Sequence, residues 1–142
     1  MKSVVMKQLD EKIEEIADVL VSLGLNRSIA KTLSYLQNLK ETTSMDLERL
    51  TGLHQSEVSI AIKELKEHQW ISEREGKNPG KGRPYKIYSL KKDFKEIIAH
   101  FEKQKMKEFN EIQLKIKRLK ELIALMAWPE TIGYSGEASI SA

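Results

Sequence analysis

Gly80, Lys81, Gly82, Arg83, Pro84 and Tyr85 make a basic stretch loosened by two glycines, and side chains of that kind hold phosphate oxygens rather than break bonds. Residues 70–92 carry seven Lys and Arg against two Glu, a net +5 that exceeds the +3 of the whole 142-residue chain. Residues 44–69, just upstream, run the other way, with three basic and five acidic side chains. Charge of one sign gathered on one short loop points to an electrostatic footprint for a polyanion, with a solvated hairpin as the plainer alternative.

Other chemistries find few groups to work with. The absence of cysteine excludes disulfides, thiolate zinc sites and cysteine redox switches, leaving His54, His68 and His100 as nitrogen ligands. His54 and His68 stand 14 residues apart, on the order of 21 Å along a helix, too far to share an ion. No glycine-rich cradle precedes a helix, no Ser/His/Asp arrangement stands out, and no carboxylate pair has a setting that would shift its acidity. Neither enzymatic activity nor a cofactor or metal is expected. No apolar run approaches the roughly 18 residues of a membrane span, and Met1 to Asp10 lacks a hydrophobic stretch with a cleavage site, so a cytoplasmic location is expected.

The elements that must position the basic loop are mainly helical. Leu9, Ile13, Ile16, Leu20 and Leu23 lay an apolar stripe on a helix from about Lys7 to Leu23, stopped by Gly24. Asn26 caps a second helix with Ile29, Leu33, Leu36 and Leu39 inward, and Glu41 to Thr43 break it into a segment suited to a one-bridge strand. Ser44 is the expected cap of a short helix that buries Leu47 and Leu50. Thr51 and Gly52 turn the chain, Leu53 is buried in the turn, and residues 54–69 hold Val58, Ala61, Ile62 and Leu65 at helical spacing. Trp70 to Arg74 and Tyr85 to Leu90 read as two strands of a hairpin with a long tip. Asp93 with Glu96 then caps a helix that runs to Ala127, on the order of 50 Å long. Phe109, Ile112, Ile116, Leu119, Ile123 and Met126 step 3, 4, 3, 4, 3 along it, a heptad seam that calls for a partner helix. Folding back onto helix one, whose stripe is similar, is one solution, and a two-fold dimer using both stripes is the preferred one.

In this order the elements resemble the winged helix-turn-helix transcriptional regulators, in particular the MarR, ArsR and TrmB-like groups of archaea and bacteria. The match covers roughly Leu25 to Leu90 and rests on Asp46 to Leu53, Gln55 to Leu65, Trp70-Ile71 and Gly82 to Tyr88. His54 stands where a capping Ser is usual, and Gln69 where a Gly often ends the recognition helix. The resemblance implies an α+β fold, mainly α with a small β-hairpin wing, followed by a long coiled-coil-like dimerisation helix. The expected organisation is an N-terminal helix at 1–24 joining the dimer contact, a DNA-binding domain at 25–92, a dimerisation helix at 93–128 and a disordered tail at 129–142.

It further implies that the second helix of the motif enters the major groove of double-stranded DNA. The outward set would be Gln55, able to bond adenine bidentately, Ser56 and Ser59 for bases or phosphates, Ile60 for a thymine methyl, and Lys63 for phosphate. Glu57 serves either cytosine or, preferably, its own helix cap. The wing would contribute Lys77, Lys81, Arg83 and Lys86, with Arg83 as a minor-groove hook. A homodimer would be held by Leu9, Ile13, Ile16 and Leu20 together with Phe109, Ile112, Ile116, Leu119 and Ile123. An effector ligand would be in keeping with the resemblance, although no residue can be assigned to one. The competing reading is a winged-helix protein-interaction or assembly module without specific DNA binding. RNA binding is a third, weakened by having only Tyr85 and Tyr88 near the basic loop.

Overall fold

Five consecutive residues, Thr32 to Leu36, are all buried in the second helix, so that helix must be covered from more than one side. The computed structural model of the chain describes residues 4–76 and 84–127. Its elements are α1 (Val4–Ser22), α2 (Arg27–Asn38), α3 (Ser44–Thr51), α4 (Gln55–Glu67), β1 (Ile71–Gly76), β2 (Tyr85–Leu90) and α5 (Phe94–Ala127). The chain divides into two compact units, Met1–Ile97 and Ile98–Ala142. Among the described residues no helix is long and apolar enough to cross a membrane.

In the first unit α2 is the centre, packed against α1, α3 and α4. α1 lays Ile13, Ala17 and Leu20 against the core, all nearly inaccessible. Ser34 Oγ donates to the Ile13 carbonyl at 2.6 Å in this buried contact, and the Tyr35 hydroxyl donates to Glu14. Burial, with the Glu14 carboxylate beside it, pushes the Tyr35 phenol well above its ordinary pKa. Ile13 and Leu20, expected at the dimer contact, are buried in the chain's own core. Leu9 is exposed and Ile16 half-buried.

Local chemistry fixes the helix ends. α1 stops in a Schellman motif, where Leu25 N–H donates to Leu20 O and Gly24 N–H to Val21 O, with Gly24 at φ 106°. Asn26 caps α2 by accepting from Ser28 N–H at 2.9 Å. The cap of α3 is Thr43, not Ser44: its Oγ1 accepts from Asp46 N–H, and Ser44 becomes the first helical residue. The cause lies one residue earlier, where Thr42 pairs with Tyr88 in a single β-bridge and hands on an extended chain. Leu50, expected inside, is 37% exposed, because in so short a helix Thr51 takes the inward place one turn after Leu47. Thr51 Oγ1 donates to Leu47 O at 2.6 Å and accepts from Leu53 N–H at 3.1 Å, bracketing a turn in which Gly52 adopts φ 75°.

α4 ends in a second Schellman motif. Trp70 N–H donates to Leu65 O and Gln69 N–H to Lys66 O, so Trp70 closes the helix and β1 begins at Ile71. Here the left-handed residue is Gln69, at φ 63°, where glycine would be unstrained. Gln69→Gly is expected to raise stability by about 0.5–1 kcal/mol, seen as a higher urea midpoint; an unchanged midpoint would show that the glutamine side chain offsets its own backbone strain.

β1 and β2 pair antiparallel, from Ile71 opposite Leu90 to Gly76 opposite Tyr85. Gly76 is buried beneath the Tyr85 ring, whose Cε2 lies 2.6 Å from where a Cβ would stand. α5 begins with Asp93 O accepting from Glu96 N–H at 2.9 Å, and Ile97 is buried in the first unit. In the second unit the described part is the helix itself. Phe109, Ile112, Ile116, Leu119, Ile123 and Met126 are all exposed along it. The expected tail at 129–142 lies outside the described residues.

Candidate nucleic-acid interface

Val58, Ala61, Ile62 and Leu65 are all buried, which turns the opposite side of α4 to solvent. Gln55, Ser56, Ser59, Ile60 and Lys63 are exposed, as their spacing requires. The start of the helix is secured by Glu57, whose Oε1 accepts from His54 N–H at 2.9 Å. Glu57 therefore caps its own helix. Ser28 Oγ also approaches its other carboxylate oxygen at 3.5 Å.

Gln55, Ser59 and Lys63 recur every four residues and form the column that faces the hairpin. Two open clefts flank it. One, of about 460 Å³, is lined by Gln55 with Thr43, Ser44, Met45, Glu48, Tyr85 and Lys86. The other, of about 370 Å³, brings Ser59 and Lys63 beside Ser44, Lys66, Glu73 and Lys86. Lys86 borders both, so the first residues of β2 and the Gln55 column share one surface. Ser56 and Ile60 lie on the neighbouring column and line neither cleft. Lys77, Lys81 and Arg83 lie outside the described residues.

The positive charge legible in residues 70–92 is partly spoken for. Arg74 donates from Nε and Nη2 to both carboxylate oxygens of Glu41 at 2.8 to 3.0 Å, which ties β1 to the segment before α3. Lys66 Nζ lies 2.8 Å from Glu73 Oε1, and Lys86 Nζ lies 3.5 Å from Glu73 Oε2. The hydrogen bond from Lys66 holds the Glu73 carboxyl below its ordinary pKa, and the same bond raises that of Lys66. Lys91 and Lys92 line a separate cleft with Gln37 and Asp93. Among the described residues no three His, Asp or Glu side chains are grouped to hold a metal.

Lys66, Glu73, Met45 and Glu48 were not among the expected site residues. Lys66 had a visible signal, since it follows Lys63 by one helical step. Glu73 had none, because its place opposite Tyr88 depends on strand register.

No protein-family model matches the chain, and no curated protein matches its sequence. Solved structures do. A possible transcriptional regulator from Methanosarcina mazei is 17% identical over 76% of this chain and 86% of its own, with a TM-score of 0.52. A second transcriptional regulator is 19% identical, covering 88% and 92%, with a TM-score of 0.51. The chain has a winged helix-turn-helix fold. In it α3 and α4 form the helix-turn-helix, the β1–β2 hairpin is the wing, and α5 is the long C-terminal helix. The oxidized form of MarR from E. coli is 12% identical over 89% of this chain and 95% of its own, with a TM-score of 0.44.

Proposed function

We propose that the chain is a dimeric transcriptional regulator that binds double-stranded DNA sequence-specifically. α4 enters the major groove, and the wing tracks the backbone and the adjacent minor groove. The observation that carries this reading is the exposed column Gln55, Ser59 and Lys63, set beside Lys86 on a winged helix-turn-helix whose inward residues are all buried. Gln55 reads adenine, Ser56 and Ser59 reach bases or phosphates, Ile60 packs on a thymine methyl, and Lys63 takes a phosphate. Lys77, Lys81, Arg83 and Lys86 supply wing charge by virtue of their sequence. The description of two solved neighbours as transcriptional regulators supports the regulatory role.

The seam Phe109, Ile112, Ile116, Leu119 and Ile123, exposed in the single chain, joins a second copy, and Leu9 and Ile16 of α1 also take part in the dimer contact. Two-fold symmetry then dictates an operator of two half-sites about one helical turn apart.

The test is selection from a randomised duplex library, followed by titration of wild type and Gln55→Ala on selected and random duplexes over a salt series. Wild-type affinity should fall with a log–log salt slope of roughly −5 to −9, from about three to five phosphates per protomer. Gln55→Ala should lose about 10-fold or more in discrimination with a smaller change on random DNA. A slope near −1 would dismiss DNA binding, and equal losses on both duplexes would remove Gln55 from the reading role.

A further inference from the structure

Glu73 is placed where a regulator of nucleic-acid binding would least want a carboxylate. It lines the cleft between α4 and the wing with Ser44, Ser59, Lys63, Lys66 and Lys86, a set of hydroxyl and ammonium donors suited to a phosphate group. Instead of a phosphate, the Glu73 carboxylate receives Lys66 from α4 at 2.8 Å and Lys86 from β2 at 3.5 Å. The two cations come from the two elements that would flank a DNA strand, and one anion from the base of the wing spans them. A carboxylate offers ammonium groups much the same charged oxygens as a phosphodiester.

We infer that Glu73 is an internal stand-in for a DNA phosphate, occupying Lys66 and Lys86 in the free protein and releasing them to the backbone when duplex arrives. This inference rests on the DNA-binding reading above and adds to it a residue that lowers affinity without touching a base. The consequence is a uniform brake on the binding of any duplex. Every duplex must displace the same carboxylate, whereas base contacts from Gln55 and its neighbours compensate only on the right sequence. The pair is exposed enough to exchange readily, Lys66 Nζ and its stem being 45% accessible and Glu73 25%.

The experiment compares wild type, Glu73→Gln, Glu75→Gln, Lys66→Gln and the double variant Glu73→Gln/Lys66→Gln by titration against a selected and a random duplex. Glu75 lies two residues along the same strand, opposite Lys86 across the hairpin, so its variant makes the same change in net charge beside Lys86 while leaving the Glu73 bridge in place. Glu73→Gln should bind both duplexes about tenfold more tightly, roughly threefold per protomer, and so leave the selected-to-random ratio unchanged. Glu75→Gln should change affinity by less than about threefold. In the Glu73→Gln background, removal of Lys66 should cancel most of the gain, while Lys66→Gln alone should change little, a non-additivity that a purely structural role for Glu73 would not produce. Equal gains from the Glu73 and Glu75 variants, or additive effects with Lys66, would overturn the inference while leaving DNA binding intact. A wild-type chain that binds neither duplex would instead overturn the DNA reading itself.

Discussion

Replacing Ile116 with Asp is expected to leave the protein monomeric at micromolar concentration, with operator affinity lowered by more than about 100-fold. Ile116 lies in the middle of the seam and is 48% exposed in the single chain, flanked by Ile112 and Leu119. In a two-fold pair the substitution strikes twice. It removes two Ile side chains, each worth about 1.5–3 kcal/mol of burial, and sets two carboxylates in a desolvated seam where they repel each other. Together these terms raise the dimer dissociation constant by about 1,000-fold or more, and they outweigh any single base contact. Light scattering checks the mass. Leu114→Asp is the control, because Leu114 is 66% exposed and lies off the 3, 4 spacing; it should remain dimeric. An unaltered dimer in the Ile116 variant would move the interface elsewhere.

Leu36→Ala is expected to cost about 2–5 kcal/mol, a large share of the roughly 5–15 kcal/mol typical of a domain. Leu36 is wholly inaccessible in α2, the helix that α1, α3 and α4 all pack against, so a cavity there has rigid neighbours on several sides. The same truncation at the 37% exposed Leu50 should cost less than about 1 kcal/mol. Urea denaturation measures both, and a similar small loss for each would show that the α2 core relaxes around the missing atoms. DNA binding by Leu36→Ala should fall only in proportion to the unfolded fraction.

The contrast between these two leucines shows where sequence reading holds and where it stops. Period 3.6 placed Val58, Ala61, Ile62 and Leu65 inside and the Gln55 column outside, because a helix face follows from spacing alone. The Thr42 bridge and the Gly24 stop were legible for a similar reason, being set by residue type within a few positions. Partners are another matter. α1 and α5 carry nearly the same 4, 3 stripe, yet Ile13 and Leu20 are covered within the chain while Ile116 and Ile123 are exposed. Periodicity reports that a face must be covered and is silent on by what. The Glu73 ion pairs were hidden on the same account, since they join α4, β1 and β2 through register rather than spacing.

The hairpin's moorings carry a geometric consequence. Its base is fastened at two points to the short run that leads into α3: Arg74 grips Glu41, and Tyr88 exchanges backbone hydrogen bonds with Thr42 at 2.7 and 3.0 Å. The chain enters the wing from α4, but the wing is anchored ahead of α3, so the four elements close into a frame. Between the anchored Thr42 and the first residue of α3 stands only Thr43, so the spacing of the hairpin from α3 is held by a single linking residue. A single residue added there would shift the hairpin against α3 while leaving the exposed column of Gln55, Ser59 and Lys63 as it was.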